Sequence, residues 1–235
     1  MSLASPPFPR PSLPFHFLMH LARCLRFCAP FALVLSTGFG QARPLPFRDG
    51  TAFTAQVSEG EQTWFVRHAV IRNVAPGLLW SRFEAPGSGD AEALVPHLTW
   101  LAHRVNGRGY QANVYLAGGA AFYRQQGSSD TGTWWNFQAD AESRRWYGMV
   151  AAKQWWSPDR FTRSEYTARA GWAPYLGGYH DLNTWFMLET AYSPRASRTT
   201  VVKPLVRFFY HNGLLELGST LQGSPFVNLS FEFKF

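Results

Sequence analysis

The sequence predicts an all-β protein, built as one antiparallel barrel of about ten strands, with eight or twelve as alternatives. Segments of alternating polarity recur along the chain and are separated by turn residues. Helical periodicity is nearly absent, apart from one short helical turn predicted at residues 90–94. Aromatic residues make up 17% of the chain beside an ordinary hydrophobic content of 46%, which is typical of a wall that is apolar on one face only.

The first 42 residues have the features of a secretory signal peptide. Arg23 and Arg26 precede a short apolar stretch at residues 27–39, and the small residue Ala42 follows it. The apolar stretch is shorter than the roughly 20 residues that a membrane-spanning helix requires. We therefore expect residues 1–42 to be removed by cleavage after Ala42 during export, and we hypothesise that Met19 is the true start.

The net charge of the chain is +7, but part of it comes from the arginines of this leader. The remaining excess is mild, and no run of Lys and Arg interleaves with aromatic residues as in a nucleic-acid-binding module. Nucleic acid is therefore excluded as the main partner. Both cysteines, Cys24 and Cys28, lie in the leader, so the exported protein is expected to have neither a disulfide nor a cysteine metal site.

The exported chain is expected to begin with a spacer at residues 43–61 and to continue as the barrel at residues 62–235. Pro44, Pro46 and Gly50 interrupt regular structure in the spacer. Within the barrel, alternation and turn residues predict strands at 63–72, 78–83, 95–104, 110–124, 134–141, 144–156, 161–172, 182–192, 200–211, 214–222 and 226–235.

Turn-forming and strand-breaking residues mark the boundaries of these strands. Asn106-Gly107 and Asn212-Gly213 are expected to form hairpin turns. Residues 125–131 are polar and contain Gly and Ser, which predicts a flexible loop. Pro204 lies inside a predicted strand, and because proline cannot donate a ladder hydrogen bond we expect a bulge or a weak ladder there.

The last ten residues alternate most regularly. One side of this predicted strand carries Val227, Leu229, Phe231, Phe233 and Phe235, and the other carries Asn228, Ser230, Glu232 and Lys234. This ending resembles the closing strand of Gram-negative outer-membrane β-barrels, whose terminal aromatic residues are recognised by the barrel-assembly machinery. The resemblance implies that Phe231, Phe233 and Phe235 form an assembly signal and face lipid.

Three further segments resemble small uncharacterised outer-membrane β-barrel proteins of Gram-negative bacteria. They are residues 106–115, 182–185 and 202–209. The resemblance implies a transmembrane barrel in the outer membrane, in contact with outer-membrane lipids. It implies no catalytic residue and no cofactor.

Charged residues of the later strands fall on the face that is expected to point into the barrel. This predicted lumen charge network comprises Arg163, Glu165, Arg169, Glu189, Lys203, Arg207, Glu216, Glu232 and Lys234. Such a network could line a solute path or bind a ligand. The favoured interpretation is structural, because paired ions commonly fill the interior of a small barrel.

Candidate catalytic residues are few. A lipid-modifying hydrolase or acyltransferase would need His, Ser and a carboxylate near a rim, for which the candidates are His180 with Asp181 and His211 with Ser219. A rim or loop histidine without catalysis is the simpler interpretation. The histidines show no metal-ligand spacing, so no metal site is expected. The pairs Trp134-Trp135 and Trp155-Trp156 are interpreted as anchors at the membrane interfaces.

These observations favour a narrow or closed barrel that serves envelope integrity, surface binding or small-solute passage. One alternative is an outer-membrane lipid-modifying enzyme. The other is a soluble periplasmic binder of the lipocalin type, which would place its apolar face inside and its charges in water. Alternation alone does not distinguish the soluble barrel from the membrane barrel, and the sequence leaves the oligomeric state open.

Overall fold

The computed structural model describes residues 44–234 except 86–88, 159, 179, 195, 197 and 198. The predicted signal peptide, including Met19 and both cysteines, lies outside the described residues, and so does Phe235. Within the described residues, no helix is long and apolar enough to cross a membrane.

The described chain forms one closed barrel of twelve strands, in which every neighbouring pair is antiparallel and sequence neighbours lie side by side. The strands are β1 (Gly50–Ser58), β2 (Glu61–His68), β3 (Val74–Ala85), β4 (Gly89–Gly107), β5 (Tyr110–Gln125), β6 (Ser128–Ser143), β7 (Trp146–Ser157), β8 (Phe161–Trp172), β9 (Asn183–Tyr192), β10 (Thr200–Tyr210), β11 (Gly213–Ser219) and β12 (Pro225–Lys234). The all-β antiparallel barrel is confirmed, but it has twelve strands, which the prediction gave only as an alternative to about ten.

The strand that the prediction lacks is β1, which falls inside the predicted spacer at residues 43–61. It pairs with β2 on one side and with β12 on the other, so it closes the barrel. Thr54 lies opposite Ser230, and their hydroxyl oxygens are 3.0 Å apart. The prediction that residues 43–61 are only a spacer is therefore wrong, because β1 lies between β2 and β12 and is paired with both.

Two segments that were predicted to lie between strands also belong to paired strands. The predicted helical turn at residues 90–94 belongs to β4, which pairs with β3 from Gly89 onward. The predicted flexible loop at 125–131 is a tight hairpin, with Gln126 and Gly127 at φ of 47° and 80°. Positive φ at both central residues matches the twist of adjacent strands, so a polar segment with one glycine is sufficient for the turn.

The two predicted hairpins are present, each with its turn close to the expected place. Gly107 pairs with Tyr110 around Gly109, and Tyr210 pairs with Gly213 around His211, whose φ is 52°. The sequence predicts a bulge or a weak ladder at Pro204, and the bulge is absent, because the register toward β9 does not shift there. The ladder toward β11 begins only at the next residue, Leu205, so the missing N–H falls at the edge of that ladder.

The strand directions define two ends of the barrel. We call the end at which β1 begins and β12 ends the terminal end, and the other the distal end. The side chains alternate between an outer wall and the lumen, as on β9, where Phe186 and Leu188 are exposed while Met187 and Glu189 are buried. This is the alternation that the sequence predicts for β9.

Candidate functional site

The lumen contains two clusters of paired charges. The first, which we call the distal charge cluster, consists of Glu61, Lys153, Arg163 and Glu165 near the distal end. The Glu61 carboxylate accepts hydrogen bonds from Lys153 Nζ at 2.9 Å and from Arg163 Nη2 at 2.6 Å. Glu165 lies 3.4 Å from Lys153 Nζ. Two acids and two bases balance in this cluster, so its net charge is zero and each buried ion has a partner of opposite charge.

The second cluster, the Glu216 cluster, consists of Arg169, Glu189, Lys203, Arg207 and Glu216 on β8 to β11. The Glu216 side chain has no exposure to solvent. It accepts from Arg169 Nη1 at 2.8 Å and from Arg207 Nε at 2.7 Å. Glu189 pairs with Arg169 and with Lys203. Three bases and two acids make this cluster net positive.

Aromatic rings support several of these cations. Lys203 Nζ lies 4.7 Å from the centre of the Phe226 ring, and Arg163 Cζ lies 4.9 Å from that of Phe83. An ammonium or guanidinium over a ring face gains attraction from the quadrupole of the ring. Each of these two cations therefore contacts both an aromatic ring and a carboxylate, and the two contacts together fix its position.

The distal end of the lumen also contains a buried apolar cluster, which we call the distal plug. Its large members are Leu79, Phe83, Val95, Tyr123, Trp134, Trp155 and Phe161. The ring centres of Phe83 and Trp155 are 4.9 Å apart, and those of Trp134 and Trp155 are 5.9 Å apart. The interpretation of both tryptophan pairs as interface anchors is therefore wrong for one residue of each pair, because Trp134 and Trp155 point inward and only Trp135 and Trp156 are exposed.

The segment before β1 closes part of the terminal end. The carbonyl oxygen of Pro44 accepts a hydrogen bond from Arg67 Nη1 at 2.6 Å, and Leu45 is buried against Tyr115. The backbone N–H of Phe47 donates to Glu232 at 2.6 Å. Glu232 is buried, and it accepts this hydrogen bond from the segment before β1 while belonging to neither charge cluster.

The predicted charge network is thus brought together in part. Seven of its residues form the two clusters, namely Arg163, Glu165, Arg169, Glu189, Lys203, Arg207 and Glu216. Lys234 is exposed at the end of β12 and belongs to neither cluster. The clusters include two residues that the predicted network lacks, Glu61 and Lys153. Glu61 was left out of the predicted network because it lies in the segment that was predicted to be a spacer. The glycine at position 60, between two segments of alternating polarity, could have indicated a hairpin turn there.

A cavity of about 250 Å³ lies between these groups. It is lined by members of both charge clusters, by Arg67 and by the inward tryptophans Trp134 and Trp155. Polar and charged side chains from many of the strands line this cavity.

The catalytic candidates do not assemble into a triad. His180 and His211 approach each other at the terminal end, with ring centres 5.3 Å apart. Ser219 ends β11 at the opposite end of the barrel, so its predicted pairing with His211 is wrong, since seven strand residues separate the ends by roughly 20 Å. The Asp181 carboxylate accepts from the backbone N–H of Gly178 at 2.7 Å. Within the described residues, no group of three or more potential ligands could hold a metal ion.

No protein-family model matches this chain, and no curated protein is similar to it. Among solved structures, a KdgM porin is similar with a TM-score of 0.46 and 7% sequence identity, over 79% of this chain and 99% of the porin chain. The interpretation of the lumen therefore depends on this chain's own residues.

Proposed function

We propose that this protein is an outer-membrane β-barrel whose narrow, polar lumen serves the passage of small solutes. The observation that carries the proposal is the placement of charge, because ion pairs are enclosed and large apolar side chains are exposed along the strands. The exposed residues include Leu78, Leu94, Leu98, Leu116, Val150, Phe186, Leu188 and Leu217. A soluble barrel would have the opposite arrangement, since water rewards exposed charge and hydrocarbon does not.

The exposed aromatic residues support the same proposal. Tyr110, Trp146, Trp172 and Tyr210 lie toward the terminal end, and Phe122, Trp156 and Tyr192 toward the distal end. Aromatic side chains are enriched at both boundaries of a membrane, where one edge of the ring is apolar and the other can meet water.

Membrane fractionation tests the location. We expect the exported protein in the outer-membrane fraction, migrating faster in gels before boiling than after, because a folded barrel resists unheated detergent. Recovery of the folded protein in the soluble periplasm would overturn the proposal and favour a soluble binder.

Conductance in planar bilayers tests passage through the lumen. We expect a small conductance, since side chains leave a cavity of only about 250 Å³. Trp155→Ala removes a ring of the distal plug and should increase the conductance, whereas Trp156→Ala on the outer wall should not. No conductance for either variant or for the unmodified protein would overturn passage while leaving the membrane location intact.

The assembly signal belongs to this proposal as well. Phe231 and Phe233 lie on β12, on the face opposite the buried Ser230 and Glu232. We expect deletion of Phe235 to reduce assembly into the outer membrane more than it reduces export, if residues 226–235 act as the assembly signal that their resemblance implies. The periplasmic and outer-membrane fractions would be compared by immunoblot, and normal assembly of the shortened chain would remove this role.

A further inference from the structure

The outer wall of the barrel contains an apolar groove that crosses β5 to β9, which we call the outer groove. Its volume is about 670 Å³. Directly paired residues of the five strands line it in two neighbouring rows, and most of their side chains are small. One row consists of Ala112, Ala141, Gly148, Ala170 and Leu188. A Cβ at Gly148 would have no heavy atom within 4 Å, so the groove is open in its middle.

Large exposed aromatic side chains border the outer groove on both sides. Toward the terminal end, Trp146 lies opposite Trp172, and Trp172 lies opposite Phe186. Toward the distal end, Tyr166 lies opposite Tyr192, with ring centres 6.4 Å apart. All five side chains are exposed on the outer wall. The small residues between them therefore form a depression in the wall with an aromatic ridge on each side.

Three arginines lie beside the outer groove at the terminal end. Arg108 is in the turn between β4 and β5, and Arg144 and Arg145 form the turn between β6 and β7. The two turns are neighbours, because Tyr110 and Ser143 next to them are paired. All three arginines are exposed, and among the described residues none of them forms an ion pair. This part of the rim is a positive patch without a counter-charge from the chain.

The order of these features along β7 matches the layers of a membrane. Trp146 directly follows Arg145, and Gly148 of the outer groove lies two residues farther along the strand. Tryptophan is enriched at the boundary between hydrocarbon and headgroups. With Trp146 at this boundary, the arginines lie among the headgroups and the outer groove lies in the hydrocarbon.

We propose that the outer groove and the three arginines bind a phospholipid with an anionic headgroup. An acyl chain occupies the groove, and the phosphate accepts hydrogen bonds from the guanidinium groups, whose planar fork matches phosphate geometry. The groove volume lies within the roughly 300 to 1,000 Å³ of pockets that hold one small ligand. This inference rests on the proposed function, because only a barrel in a membrane presents its outer wall to lipid.

The positive patch favours a lipid over a second copy of the chain. Small residues on a membrane-facing wall also allow another protein to approach closely. In a two-fold symmetric dimer, however, the same surface of both copies meets itself. The arginines of the two copies would then face one another, and like charges across an interface oppose association. An anionic lipid instead supplies the charge that the patch lacks.

Native mass spectrometry of the purified barrel, released from detergent micelles, tests the inference. The two probes are dioleoyl phosphatidylglycerol, which is anionic, and dioleoyl phosphatidylcholine, which has the same chains and no net charge. A basic residue near a membrane surface strengthens the binding of anionic lipid by about fivefold. We therefore expect phosphatidylglycerol to bind at least roughly tenfold more tightly than phosphatidylcholine.

Charge substitutions assign the headgroup site. Arg144→Gln combined with Arg145→Gln should weaken the binding of phosphatidylglycerol by about 25-fold and leave that of phosphatidylcholine unchanged. Arg124→Gln is the matched control, because Arg124 is an exposed arginine near the distal end of β5. Its binding of both lipids should equal that of the unmodified protein.

A substitution in the wall assigns the acyl-chain site. Gly148→Leu places a side chain in the open part of the outer groove and should abolish the binding of both lipids. Ala120→Leu is the control, since Ala120 is exposed on the outer wall of β5 outside the groove. If Gly148→Leu does not fold, the arginine variants carry the test.

Three results would overturn the inference. The first is equal binding of the two lipids to the unmodified protein, and the second is unchanged binding in the arginine and Gly148 variants. The third is a dimer that Gly148→Leu dissociates, which would make the groove an interface between copies. Each preparation is taken from the outer-membrane fraction and shows the mobility shift of a folded barrel. Failure of the lipid site is thus distinguished from failure of the proposed function, which would leave the protein in the soluble periplasm.

Discussion

At the scale of single residues, Glu216 shows how the lumen tolerates enclosed charge. Its carboxylate has no contact with solvent, and it accepts from Arg169, Arg207 and Asn228 Nδ2, the last at 2.8 Å. An isolated ion in this position would be strongly destabilising, whereas a fully paired one is tolerated. Arg207 depends on it most, because it has no other carboxylate partner among the described residues.

Replacing Glu216 by Gln should therefore destabilise the barrel by about 3–5 kcal/mol, because it leaves a buried cation without its counter-charge. The measurement is urea unfolding in lipid vesicles, followed by loss of the fast-migrating form in gels. Glu84→Gln is the matched control, since Glu84 on β3 has an exposed side chain. Equal midpoints for both variants would contradict the role assigned to the Glu216 cluster.

Alternation along a strand determines which side chains share a face. The alternation of β8 to β11 predicts that Arg169, Glu189 and Glu216 share the inner face, and in the structure all three line the lumen cavity. Adjacent tryptophans were misassigned because two consecutive strand residues cannot face the same side. The partners of Glu61 could not be predicted, since Lys153 is 92 residues away and local pattern carries no information about such pairs.

At the scale of strands, the absence of a side chain at Gly119 lets β4 and β5 lie close together. A Cβ at Gly119 would meet the carbonyl oxygen of Pro96 and lie 2.9 Å from Cα of His97. The neighbouring residue Gly118 faces the other way, and its nearest atom, the carbonyl oxygen of Trp134, would be 3.4 Å away. The two glycines are adjacent in sequence but differ in the space around them.

We expect Gly119→Ala to cost about 1–3 kcal/mol of stability, because the added methyl group overlaps backbone atoms that cannot rotate away. Gly118→Ala should stay within about 0.5 kcal/mol. Both variants would be unfolded in urea under the same conditions. A Gly118 variant as unstable as the Gly119 variant would show that the backbone preference of alanine, rather than contact with β4, determines the loss of stability.

The pairing of β1 with β12 has the least sequence support and the clearest direct test. The alternation of β1 is weak, with Ala52, Thr54 and Gln56 on one side and Phe53 and Val57 on the other. Two prolines precede this weak pattern, and for both reasons the sequence predicted a spacer. Closure is decided by the whole sheet, since β2 and β12 each need a partner. That requirement is visible only once the number and tilt of the other strands are known.

A cysteine pair at Thr54 and Ser230 should form a disulfide that closes the barrel covalently, because these residues lie directly opposite each other. Both natural cysteines lie in the first 42 residues, so the exported protein offers no competing thiol if cleavage occurs as expected. The control is Gln56→Cys with Ser230→Cys, a diagonal pair about 7–8 Å apart and beyond disulfide reach. Non-reducing gels and thiol labelling report the bond. Oxidation of the diagonal pair in preference to the direct pair would contradict the register.

At the scale of the whole molecule, the two faces of the wall divide the chemistry of the chain. The inside encloses paired ions, and the outside presents large apolar side chains along the middle of the strands. In water this arrangement would expose apolar surface over most of the barrel, which monomeric soluble proteins avoid. In a bilayer it satisfies every requirement at once, because the closed ladder pairs the backbone and hydrocarbon covers the outer face.

This division makes a substitution on the outer wall the most direct test of the molecular environment. Leu188 is 53% exposed in the middle of β9, between Ala170 on β8 and Pro204 on β10. Leu188→Arg should cost about 2–4 kcal/mol in lipid, since the charge would lie near the bilayer midplane. Leu221→Arg, in the turn between β11 and β12 where Leu221 is 68% exposed, should cost about 0–1 kcal/mol.

The two arginine variants would be compared by urea unfolding in vesicles and by the fraction assembled in the outer membrane. On a soluble barrel both positions would already face water, and surface substitutions there usually change stability by less than about 0.5 kcal/mol. A large cost at Leu188 with a small cost at Leu221 therefore requires hydrocarbon around the strands. Equal, small costs at both positions would exclude a lipid-facing wall, and with it the membrane barrel.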